Sequence, residues 1–159
     1  MKTNTIVDKL ARTIERVELG KGGIKKLPFI YADIDMQNVL VDDIEPPFAA
    51  ATPIDSAVVM DAHNRWQEQA TFELFFGDLM THPMADYCAR ENERIVDECK
   101  QRAFQWLATL AGNTELQLVS VNSMRHVVLE FDSVATGVLL NVTLKELASV
   151  GVCDLGVIQ

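Results

Sequence analysis

The chain has 159 residues, 48% of them apolar and 23% charged, with 23 acidic against 14 basic side chains and a formal net charge of −9. That length suits one domain with a sizeable core, taken as residues 1–159. The charge excludes a chain built to grip phosphates, and the longest apolar runs, FAAATPI and GVLL, fall far short of the roughly 20 residues of a membrane-spanning helix.

Charges interrupt the first segment, MKTNTIVDKLARTIERVELGKGG, every few residues. It therefore lacks the apolar centre of a signal peptide, and an intracellular, non-secreted product is expected. Within it, Ile6, Leu10, Ile14 and Val17 recur at helical spacing, broadened by Val7 and Ala11. Thr5 is placed to cap this helix, with Asp8 three residues on as a short capping-box acid. Gly20, Gly22 and Gly23 stop it.

In LPFIYADIDMQNVLVDD, Ile30, Ala32, Ile34 and Met36 alternate with Tyr31, Asp33, Asp35 and Gln37, which predicts a half-buried strand. The connector EPPFAAATP follows, too rich in proline for a helix and too apolar for an ordinary solvated loop. IDSAVVMDA and QEQATFELFFGDLM predict two more strands, joined by a hairpin-like loop over DAHNRWQEQ in which Trp66 is the one large apolar residue. In the second of these strands, Ala70, Phe72 and Leu74 alternate with Thr71, Glu73 and Phe75.

The segment from Pro83 to Ala111 predicts the clearest helix. Cys88, Ile95, Cys99, Ala103, Trp106 and Leu110 form its apolar stripe, Glu98 and Arg102 form an i,i+4 pair, and Gly112 and Asn113 end it. Two strands follow. The first, ELQLVSVNSMRHVVLEF, sets Leu116, Leu118 and Ser120 against Gln117, Val119 and Val121, then resumes alternating at His126. The second, VLLNVTL, sets Leu139, Asn141 and Thr143 against Leu140, Val142 and Leu144. The order α-β-β-β-α-β-β predicts an α+β domain, a mainly antiparallel sheet with an N-terminal and a long central helix packed on it.

Motifs that carry chemistry are sparse. His63, His82 and His126 form no metal-ligand spacing; His82, Asp86 and Cys88 are the nearest to one, and a capping or surface role accounts for His82. Asp33, Asp35, Asp42 and Asp43 read as a solvated strand face. Cys88, Cys99 and Cys153 lack any C-x-x-C spacing. Cys88 and Cys99 stand about 16 Å apart along one helix, too far to bridge. All three are expected as reduced, buried thiols. No G-x-S-x-G elbow or phosphate loop is present. The reading is therefore of a protein with no catalytic residues, metal or cofactor.

Three stretches, EPPFAAATPIDSAVVMDA, the helix after the central strands, and VVLEFDSVATGVLLNVTL, together with the element order, resemble the tail-terminator and tail-completion proteins of tailed bacteriophages and prophages. The resemblance implies a non-enzymatic virion-assembly subunit, found in the virion or host cytoplasm. Such a subunit forms a homo-oligomeric, commonly hexameric, ring that ends the tail tube and joins the head. Its partners are tail-tube and head-completion proteins, and an acidic lumen lets DNA pass without sticking. Pro46, Pro47, Phe48 and Trp66 are the candidate protein–protein contacts, against the plainer reading of Phe48 as a plug in the chain's own core. Two other functions stay open. One is a ligand-binding or enzymatic α+β protein whose pocket gathers His126, Glu130 and Asp33; the other is an adaptor that binds a different protein through its acidic face.

Overall fold

A computed structural model describes residues 5–17, 27–31, 47–79, 89–130 and 135–147. Helix α1 (Ile6–Ile14), strands β1 (Phe29–Tyr31), β2 (Phe48–Met60) and β3 (Trp66–Leu79), helix α2 (Ala89–Leu110), and strands β4 (Leu116–Glu130) and β5 (Ala135–Glu146) follow in the predicted order. Among the described residues the architecture is α+β, one mixed five-stranded sheet in the order β1-β2-β3-β5-β4 with two helices. β1 joins β2 in parallel, and the pairs β2–β3, β3–β5 and β5–β4 are antiparallel. The predicted strand beginning at Ile30 is described only as far as Tyr31, and Asp33, Asp35, Asp42 and Asp43 lie outside the described residues.

The capping box forms as spaced: the Thr5 hydroxyl accepts from the Asp8 backbone N–H at 3.2 Å, and the Asp8 carboxylate accepts from the Thr5 N–H at 3.0 Å. Ile6, Leu10, Ile14 and Val17 are all buried, as are Ile95, Cys99, Ala103, Trp106 and Leu110 of α2. These two stripes meet one face of the sheet, formed by Ala49 and Ala51 of β2, Ala70, Phe72, Leu74 and Phe76 of β3, and Val138, Leu140, Val142 and Leu144 of β5. Alternation on β3 and β5 therefore reads directly as core against opposite face. A smaller apolar cluster on the opposite face joins Ile30, Phe48, Ala50, Phe75, Val127 and Ala135.

Polar ties hold the helices to each other and to the sheet. Trp106, fully buried, donates its indole N–H to the Thr13 hydroxyl at 2.8 Å, and that hydroxyl donates to the Leu10 carbonyl at 2.6 Å. The chain from α2 into α1 leaves neither buried donor unmatched. Arg12 reaches Glu115 just ahead of β4 at 3.0 Å. Lys9 is only 1% exposed and donates to Glu146 at the end of β5 at 3.2 Å.

At the other end of the sheet, Gly77 of β3 stands opposite Gly137 of β5. A Cβ on Gly137 would run into the Phe76 carbonyl and the Gly77 backbone, and one on Gly77 would meet the Phe75 ring. The glycine pair lets β3 and β5 come close and lets Phe75 lie across Gly77, where its ring packs on Phe48 with centroids 5.8 Å apart.

Two outcomes test these constraints by chemical denaturation. Lys9→Ala strands the Glu146 carboxylate and is expected to cost about 3 kcal/mol, whereas Lys9→Met combined with Glu146→Leu removes both charges and is expected to be close to neutral. Gly137→Ala is expected to cost about 3 kcal/mol, because the obstructing atoms are backbone that cannot rotate away.

Candidate assembly surface

The strands are longer than the helices that cover them. At about 3.3 Å per residue, the 13 residues of β2 and 14 of β3 extend about 43–46 Å, while the 22 residues of α2 rise about 33 Å. The helix-side core reaches Ala51 on β2 and Ala70 on β3. Beyond it β2 runs exposed on both faces from Pro53 to Val58, and the two strands continue as an arm.

The arm closes through residues 61–65. The Asp61 carboxylate accepts from the His63 N–H at 2.8 Å, the Arg65 N–H at 2.9 Å and the Arg65 guanidinium at 2.8 Å. These bonds, the Arg65 backbone first, hold its carboxyl below the usual range. Asn64 takes φ 60°, which asparagine tolerates. The arm then presents Val58 (67% exposed), Met60 and Trp66 (58% exposed). Met60 pairs directly with Trp66, so these three share one face, the continuation of the helix side past its cover. Ile54, also exposed, sits at the register shift between Pro53 and Asp55.

On the far edge, β4 pairs with β5 along its length but shifts register between Leu118 and Ser120, between Val121 and Ser123, and between Val128 and Glu130. The extra residues are bulges, which bend and twist an edge strand. The first bulge corrects the predicted alternation, which set Val121 against Leu118. With Val119 as the extra residue, Val121 falls opposite Val142, and the second bulge then sets Met124 opposite Leu140, both on the helix side. Val119, Val121 and Met124 are exposed. The second bulge is pinned from the opposite face: Asn122 donates to Asn141 at 2.9 Å and to Thr143 at 3.1 Å, and accepts from Ser120 at 2.8 Å. Thr143 in turn pairs with Thr71 at 3.0 Å.

Of the candidate contacts, Pro46 lies outside the described residues, Pro47 is half-buried and Trp66 is exposed. Phe48 is 1% exposed and packs within the second apolar cluster. Its ring is taken up inside the chain, which corrects its reading as a contact residue. The reading of residues 48–53 as a connector also changes, since they open β2. Val58, Met60, Val121 and Met124 were not singled out from the sequence, because alternating valine and methionine in a strand looks the same whether or not a helix lies above it.

His82, Asp86, Cys88, Cys153 and Asp33 lie outside the described residues, and so does the side chain of Glu130. His63 is exposed in the turn and His126 is exposed on β4. Among the described residues no group of three or more His, Cys, Asp or Glu is set to hold a metal ion, and no helix is long and apolar enough to cross a membrane. Gln67 is buried with its Oε1 unpartnered, and nothing in the described residues explains it.

Cys99 is buried beneath α2, its thiol directed at the Thr136 carbonyl at 4.0 Å and touched by the Arg102 guanidinium at 3.7 Å. Arg102 also approaches Glu98 at 3.8 Å and Asp78 at 4.0 Å. Burial pushes the thiol up to about 12; Arg102 pulls the other way, and Asp78 and Glu98 add to the push. A thiol so raised is a packing group and a poor nucleophile. No protein-family model matches the chain, and no curated protein matches it either.

The thiol carries a pH dependence whose sign is set. Its folded value of about 12 exceeds the ordinary value of 9.0, so its stabilisation is complete below pH 9 and is lost as pH rises from 9 towards 12. Cys99→Ala is expected to lower stability by a constant amount below pH 9, and to narrow its deficit against the parent across that window in pH-dependent urea titrations.

Proposed function

We propose that this chain is a non-enzymatic assembly subunit that joins copies of itself into a ring, of the kind that ends a phage tail tube and forms the joint with the head. The observation that carries the reading is the uncovered end of the sheet. There Val58, Met60 and Trp66 stand exposed together on the paired ends of β2 and β3; separately, on the far edge of the sheet, Val119, Val121 and Met124 of β4 are exposed beside covered residues of β5. Scattered single apolar residues are ordinary on a protein surface, but grouped ones mark places where another surface docks. Trp and Met are also among the side chains enriched where proteins bind one another.

The sheet supports the same reading. The α+β sheet, with three antiparallel pairings among the described strands, is compatible with such a subunit. The charge of −9 suits a ring that encloses DNA without binding it, since acidic walls repel phosphates and let the duplex slide.

In sedimentation velocity the protein is expected to run as a closed homo-oligomer, and negative-stain images are expected to show rings with an open centre. A chain that stays monomeric at its highest soluble concentration overturns the proposal. Because Met60 and Trp66 are exposed in the single chain, Met60→Lys with Trp66→Ser is expected to weaken assembly while changing the stability of the monomer by no more than about 0.5 kcal/mol for each substitution.

A further inference from the structure

We infer that Asp61 is the residue that readies the arm for assembly. By accepting backbone N–H groups of the turn, its carboxylate holds the Met60–Trp66 pair in place, and a second copy of the chain docks on the face this pair shares with Val58. The inference rests on the proposed self-assembly and names the group that positions its contact face.

From Pro53 to Val58, β2 is exposed on both faces. No apolar packing orders that stretch, so hydrogen bonds must, and paired strands without a core are marginal in water. At the outer end the bonds converge on one residue. Asp61 donates its own N–H to the Arg65 carbonyl at 2.9 Å, and its carbonyl accepts from the Asn64 N–H at 3.2 Å. Its carboxylate adds to these: Oδ1 takes both the His63 N–H and the Arg65 N–H, and Oδ2 takes the Arg65 guanidinium. Asp61 and Arg65 are the chain neighbours of Met60 and Trp66, the pair that ends the match of β2 with β3. Closing the turn on Asp61 therefore fixes the backbone on both sides of that pair. At the inner end of the same face the Ser56 hydroxyl donates to the Glu68 carboxylate across the strands at 3.1 Å. The exposed Val58, Met60 and Trp66 side chains lie between these two polar ties.

The effect on docking is entropic. A contact face that is still mobile must be ordered when its partner arrives, and that cost is subtracted from the affinity; a face ordered beforehand avoids it. Residues 61–65 belong to neither apolar cluster, so their bonds order the arm without building the core. Arg65 is 41% exposed, and an ion pair in such a setting contributes little. The two backbone bonds to Oδ1 therefore carry the positioning.

The test is a double-mutant cycle read by the dissociation constant of the oligomer. Asp61→Ala is expected to raise that constant about tenfold or more, because the arm must then be ordered on docking. Asp61→Asn, whose Oδ1 still accepts both backbone N–H groups, is expected to stay within about threefold of the parent. In a chain that already carries Met60→Lys and Trp66→Ser, Asp61→Ala is expected to weaken assembly no further, while its effect on the monomer's unfolding midpoint is the same in both backgrounds. Equal weakening of assembly in both backgrounds overturns the inference, because Asp61 then acts by a route other than the Met60–Trp66 face. An asparagine variant as weak as the alanine one overturns it as well. If the parent assembles and Asp61→Ala assembles as tightly, the inference is wrong and self-assembly stands. A parent that never assembles overturns both.

Discussion

The feature on which the structure turns is a mismatch of length. Strands of 12 to 15 residues reach well past helices that rise about 33 Å at most. A sheet buries its apolar face only where something lies above it. Here the cover is complete over Phe72, Leu74, Leu140 and Val142 and gone by Val58, Met60 and Trp66. The same alternation of side chains therefore builds a core in one half of the hairpin and leaves apolar side chains exposed in the other.

The helix layer can be this small because it is held at specific points. The Trp106 indole, the Thr13 hydroxyl and the Leu10 carbonyl form one buried chain of hydrogen bonds that fixes α1 against α2. Lys9 and Arg12 then fasten α1 to the ends of β5 and β4 through Glu146 and Glu115. A buried lysine is a costly device compared with an apolar side chain. Its location at the junction of helix and strand suits a contact that sets position more than one that adds stability.

Much of this was legible in the sequence. The capping box at Thr5 and Asp8, the stripes of α1 and α2, and the opposing sets on β3 and β5 follow from local periodicity, and each appears where the spacing puts it. Three things were not. EPPFAAATP looks like a connector because of its prolines, yet from Phe48 it is a strand, accepted beside the parallel β1 and into the space opened by Gly77 and Gly137. The bulge at Val119 moves Val121 to the helix side, a one-residue change that period-two counting does not register. Trp66, read as a loop residue, begins a strand and stands exposed beside Met60.

The sequence by itself determined the element types and their order, the inward faces of the helices and the central strands, and the acidic charge, because these depend on neighbours a few residues away. Only the tertiary structure decided which apolar residues are core and which are surface. Phe48 and Trp66 each begin a strand and meet opposite fates, since burial depends on what the fold lays across each strand, and that is set by residues tens of positions distant.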